Sequence, residues 1–203
     1  MKWINRSSVI GFILGAVISP IAISVGLYLY IQVQFSELKD INFSPPELPI
    51  EKEVSLDWNI QALDGTEFNL ADKFNNEFLF LNFWATWCPP CVAEMPSIER
   101  LYQQFKGRMK FACISKEDLA TINSFKKKKG YTFPIYHIKN NLPEEFNTDG
   151  IPATFIVSTA GQIKLKHVGG ADWAHESVVN YLEGLLTAKT EQVAAADSDK
   201  PRR

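Results

Sequence analysis

Cys88 and Cys91 stand two residues apart in the run Trp84-Ala85-Thr86-Trp87-Cys88-Pro89-Pro90-Cys91. Thiols at that spacing can form and break a disulfide with each other, so the chemistry on offer is thiol–disulfide exchange. The attacking species is a thiolate, and a helix N-terminus favours it through unpaired N–H groups and the positive end of the dipole. Side chains three apart on a helix have Cβ atoms about 5–6 Å apart, close enough to join after a small adjustment. Pro89 and Pro90 preset φ in the first turn, where their missing N–H groups cost nothing. Cys88 is therefore the expected attacking thiol and Cys91 the resolving one. Glu94 follows three residues later, on a similar helix face. Beside a buried sulfur its carboxylate is expected to be partly desolvated, which raises its pKa into the range useful for proton transfer. The plainer alternative is a solvated glutamate favoured by the helix dipole alone.

The flanking elements fit this placement. Phe78 to Trp84 is a continuous apolar run, as a strand buried on both faces should be, and it leads straight into the cysteines. A helix from about Cys91 to Phe105 follows, with Pro96 inside it. Upstream, Val54 to Ala62 and Glu67 to Leu70 flank a Leu63-Asp64-Gly65 turn, the pattern of a β-hairpin. Downstream come a strand over Met109 to Ser115, a helix from Leu119 to about Lys129, and a strand over Phe133 to Ile138. A short helix near Pro143 to Phe146 is followed by strands at Ala153 to Ser158 and Gln162 to Val168. Asp172 is the expected cap of a last helix ending near Leu186. Strands alternating with helices, closed by a hairpin and a helix, predict an α/β fold around a mixed sheet.

Other chemistries fit less well. A zinc site needs about four ligands, and Cys113, His137, His167 and His175 stand in no paired spacing; no metal site is expected. Copper delivery would want a well-placed histidine beside the pair. A static structural disulfide is disfavoured because pairs at helix starts are usually the labile ones. Cys113, in the apolar run FACIS, reads as a small buried hydrophobe. The lysines from Lys126 to Lys129 suit a solvated helix end. A net charge of −2 gives no electrostatic case for nucleic acid.

No charged residue lies between Arg6 and Glu37, and Val9 to Ile31 would span about 34 Å as a helix, against about 30 Å of bilayer hydrocarbon. The run is too long for a cleavable signal peptide and no small-x-small site follows it. Lys2 and Arg6 place the N-terminus inside. The expected organisation is a cytoplasmic N-terminus over residues 1–8 and a transmembrane anchor in the lipid bilayer over 9–33. A Pro45, Pro46 and Pro49-bearing linker over 34–53 would carry a domain over 54–187, with a disordered tail over 188–203. The domain would then face the periplasm or cell exterior.

The segment FLFLNFWATWCPPCVAEMP resembles the active-site stretch of thioredoxin-like proteins, and WCPPC with Glu94 resembles the membrane-anchored TlpA/ResA-like group, relatives of the cytochrome c maturation reductases. The likeness runs from about Val54 to Leu186 and takes in ALDGTEFNL, GIPATFIV and Gly169-Gly170. It implies a thioredoxin-like fold on a four-stranded core sheet with an N-terminal hairpin extension. It also implies a redox-active Cys88–Cys91 pair with no further cofactor. A disulfide-bearing substrate protein and a membrane-embedded thiol electron donor are the implied partners. Ordinary thioredoxins carry a buried Asp where this chain has Asn82, which cannot titrate; Glu94 is the nearest group that can. Ile151-Pro152 resembles the family's cis-proline loop, so Pro152 joins the catalytic set, with Trp87, Pro89, Pro90 and Ile151 as substrate contacts. The peroxiredoxin pattern Pro-x-x-x-Thr-x-x-Cys is missing. The implied activity is reduction of disulfides in extracytoplasmic proteins, as in cytochrome c maturation. A tethered binding or copper-delivery module without redox turnover is the alternative.

Overall fold

The computed structural model describes residues 52–198 except 75 and 141, together with 23 and 25–29. The chain divides into two units, Met1–Ile41 and Asn42–Arg203. In the first, residues 23 and 25–29 are helical and exposed. The rest of the expected anchor and most of the linker lie outside the described residues. Among those described, no helix is long and apolar enough to cross a membrane.

The second unit is built on one mixed sheet. Its strands are β1 (Lys52–Glu53), β2 (Asn59–Ala62), β3 (Glu67–Asn69), β4 (Leu79–Phe83), β5 (Lys110–Ser115), β6 (Ile135–His137), β7 (Ala153–Val157) and β8 (Gln162–Val168). Their order across the sheet is β1-β8-β7-β4-β5-β6-β2-β3. The helices are α1 (Leu70–Phe74), α2 (Pro89–Phe105), α3 (Leu119–Lys129) and α4 (Glu176–Ser198), with a 3₁₀ turn at Glu144–Phe146. The four-stranded core implied by the resemblance is widened at both edges. On one side the β2–β3 hairpin docks antiparallel onto β6; on the other β1 pairs with β8.

β4 is central, parallel to β5 and antiparallel to β7, and all five of its residues are buried. That burial on both faces is why its sequence shows no alternation. Leu79, Leu81 and Phe83 point into a core shared with Ile60, Phe146 and Phe155. Phe80 and Asn82 point the other way. Phe80 stacks on Phe111 and meets the edge of Trp173, while Asn82 lies in register with Cys113 on β5 and Thr154 on β7. A polar side chain in the middle of such a strand needs partners on its own face, and α2 supplies one.

Three expectations need correction. Lys52 and Glu53 belong to the sheet rather than the linker, because the chain continues from them along the β7–β8 turn. There Val54 N donates to Gly161 O, and a Cβ on Gly161 (φ +72°) would sit 3.3 Å from Val54 O. Asp172 does not cap the last helix. Its carboxylate takes Ala174 N and pairs with Arg100, and α4 starts four residues later behind His175, whose ring nitrogen accepts from Ser177 N. The expected disordered tail is helical as far as Ser198. Its small residues are mainly alanines among Glu, Gln and Lys, all strong helix formers.

Candidate active site

The loop from Trp84 to Cys88 follows the C-terminal end of the central strand β4 and turns the chain into α2. That loop is clamped by Glu117, just beyond β5. The Glu117 carboxylate accepts from Thr86 N and Thr86 Oγ, both at 2.6 Å. Ser115 braces the same carboxylate and also takes Glu117 N. Two residues past this clamp, Cys88 is the N-cap of α2, with Pro89 and Pro90 at its first positions.

Cys88 and Cys91 are joined in a disulfide with Cα atoms 5.3 Å apart. Cys91 N points at Cys88 Sγ at 3.3 Å, so the sulfur takes one of the helix's unpaired donors, as a thiolate there would. Cys88 keeps 3% of its surface exposed and Cys91 none. Trp87 is 71% exposed beside them, and Pro89 and Pro90 are exposed too. The Ile151-Pro152 bond is cis, as expected from the GIPAT segment, and Ile151 O lies 3.6 Å from Cys88 Sγ. A cavity of about 440 Å³ opens next to this point, lined among others by Trp84, Trp87, Glu117, Leu142 and Ile151.

Glu94 is not a solvated surface residue: it is 4% exposed, beneath the first turns of α2. Its Oε1 accepts from Asn82 Nδ2 at 2.9 Å, and the same amide donates to Thr154 Oγ at 2.8 Å. Its Oε2 accepts from Trp173 Nε1 at 2.9 Å and Ala171 N at 3.1 Å. Burial pushes the Glu94 pKa up to about 7, against the opposing pull of the bonds from Trp173, Asn82 and Ala171. Three donors aimed at one carboxylate hold a charge that burial alone would expel. The group is thus poised to take or give a proton near neutrality.

Cys88, Cys91, Glu94 and Pro152 lie together in this region, with Trp87, Pro89, Pro90 and Ile151 around them. Cys113 is buried and outside any disulfide, and burial holds its thiol well above the ordinary value. Lys126 to Lys129 form the last turn of α3, closed by Gly130 in a left-handed conformation. Glu117, Ala171 and Trp173 were not foreseen. They reach the site from 31, 77 and 79 residues away along the chain, with no spacing signal to announce them.

The comparisons with known proteins agree with this geometry. The family described as Redoxin matches residues 49–182. The thioredoxin-like protein YneN of Bacillus subtilis is 30% identical over 132 residues, covering 63% of this chain and 77% of that one. The thiol-disulfide oxidoreductase ResA of Halalkalibacterium halodurans is 31% identical over 131 residues, covering 63% and 74%. Among solved structures, a thiol:disulfide interchange protein of the thioredoxin family from Chlorobium tepidum superposes with a TM-score of 0.56. It is 23% identical, covers 70% of this chain and 99% of that one, and is similar in fold.

Proposed function

We propose that this chain, which belongs to the Redoxin family and is a thiol–disulfide oxidoreductase, reduces disulfides of proteins outside the cytoplasm while tethered to the membrane by its N-terminal segment. The observation that carries the reading is the pairing of two environments around one disulfide. Cys88 stands at a helix start under an exposed tryptophan and beside the Ile151 carbonyl, while a buried carboxylate with a pKa of about 7 lies one turn beyond Cys91.

In the proposed cycle the reduced pair reacts in two steps. Cys88 thiolate attacks one sulfur of the substrate disulfide, and the other substrate sulfur leaves as a thiolate. Cys91 then gives its proton to Glu94 and attacks Cys88 Sγ, which breaks the mixed disulfide and releases the second substrate thiolate. Two electrons pass from the dithiol to the substrate, and the exchange itself needs no bound cofactor. Trp87, Pro89, Pro90 and Ile151 would contact an extended substrate segment, with the Ile151 backbone beside Cys88 offering strand-like pairing. The neighbouring cavity would hold a substrate side chain. A membrane-embedded thiol donor would restore the dithiol. Apocytochrome c is one substrate consistent with the resemblance to the maturation reductases.

The test uses the full chain in detergent, a dithiol donor and a peptide carrying a fluorophore and quencher joined by a disulfide. Turnover well above the donor alone is expected. A rate equal to the donor alone would leave a binding or copper-delivery module in its place. The tether is checked separately by N-terminal sequencing of the membrane-extracted protein, which should begin at Met1 or its near neighbours. A soluble chain starting after residue 25 would remove the anchor from the proposal.

A further inference from the structure

The segment from Gly169 to Trp173 lies along the first turns of α2 and touches the dithiol helix at three levels. At the level of the cysteines, Gly170 packs so closely on Pro90 that an added Cβ would sit 3.3 Å from Pro90 O. One turn on, Ala171 N and Trp173 Nε1 both donate to Glu94 Oε2. One turn further, Ser97 Oγ takes Trp173 N at 3.0 Å and lies 3.3 Å from Ala171 O. Trp173 has no exposed surface, and its ring is gripped by Phe80 and His167. Nothing in this arrangement leaves the indole N–H free to turn away from the carboxylate.

We propose that Trp173 is a positioning residue for the resolving step: its indole N–H holds the Glu94 carboxylate charged and oriented to take the Cys91 proton. This rests on the acid–base reading of Glu94. A neutral Glu94 has no lone pair in the right place to receive that proton without first losing its own. A donor bond to the ionised form therefore keeps the acceptor available at neutral pH.

Other titratable groups face the same pocket. Cys91 is on α2 itself. Cys113, on β5, has its thiol held protonated by burial and by the charge of Glu94. His167, on β8, meets the Trp173 ring and bonds to the Gly170 backbone, and burial lowers its pKa. Asp172 pairs with Arg100 at the surface. Of these, His167 is the group that could imitate a Glu94 signal at Trp173.

The test is made on the full chain in detergent, labelled with ¹⁵N-tryptophan, with the Trp173 Nε1–H resonance assigned by its loss in Trp173→Phe. In the unsubstituted protein that resonance should move with a midpoint near pH 7. It should stop moving in Glu94→Gln and still move in His167→Gln. The resolving step is followed by release of the second thionitrobenzoate after the reduced pair meets Ellman's reagent. In Trp173→Phe its pH midpoint should rise by about one unit, since a bond to a charged group carries roughly that much. Resolution should then be about fivefold slower at pH 7 and close to the unsubstituted rate at pH 9. Recovery at high pH separates a displaced proton acceptor from general damage, which would slow every pH alike. An indole resonance indifferent to Glu94→Gln overturns the proposal, as does a Trp173→Phe profile with an unmoved midpoint. If Glu94→Gln itself leaves resolution unchanged, the acid–base reading falls and takes the proposal with it.

Discussion

Cys91→Ser is expected to accumulate mixed disulfides in cells, and Cys88→Ser to form none and lose reductase turnover entirely. Cys88 caps α2, holds the only exposed surface of the pair, and lies next to Trp87 and the Ile151 carbonyl. A substrate sulfur can approach there and nowhere near Cys91, which has no exposed surface. The helix start also favours the Cys88 thiolate. Without Cys91 the first exchange goes forward but cannot be completed, so the covalent intermediate persists. Non-reducing gels of membranes from cells making each variant, followed by identification of the trapped partner, decide the order. Adducts on Cys88→Ser and none on Cys91→Ser would reverse the assignment.

Much of this site was legible because its parts are local. The apolar run of β4, the Cys-Pro-Pro-Cys turn and Glu94 one turn further lie within sixteen residues of one another, Leu79 to Glu94, and helix geometry fixes their relations. The β2–β3 hairpin was visible for the same reason, through its Asp-Gly turn. What escaped is what depends on the chain returning from afar. Glu117 holds the loop before Cys88 only because β5 runs parallel to β4 and ends beside it. Trp173 reaches Glu94 only because the segment after β8 crosses over α2. Neither a glutamate after a strand nor a tryptophan before a helix carries a periodic signal. The edge strand β1 escaped because two residues cannot show alternation, and its place is set by backbone pairing alone. Even the buried state of Glu94 is a tertiary property. Its spacing put it on the right face, but the donors from β4 and from the segment after β8 are what make a carboxylate tolerable there.

Those donors do not cancel the cost of burial, and Glu94→Gln is therefore expected to stabilise the fold while disabling resolution. The folded-state pKa of about 7 stands above the ordinary glutamate value of 4.5. The folded protein thus binds the Glu94 proton more tightly than the unfolded chain does. The stability tied to that proton is complete below about pH 4.5 and is lost as pH rises through 7. Above pH 7 the fold carries a buried carboxylate. At about 1.4 kcal/mol per pH unit, the gap amounts to about 3 kcal/mol as an upper figure. Gln has the same shape and no charge to bury. Asn82 Oδ1 is buried with no partner among the described residues, so the Asn82 amide can turn to accept from the new side-chain N–H. The variant should melt several degrees higher than its parent at pH 8, with little difference at pH 5, when both are followed by thermal unfolding. The same substitution removes the proposed proton acceptor. Resolution of the mixed disulfide should slow on the order of 100-fold at pH 8, the low end for loss of a general base, and lose its bend near pH 7. A stability gain with unchanged resolution would make Glu94 a purely structural burden. Slower resolution with a stability loss at pH 8 would mean instead that its three hydrogen bonds outweigh its burial.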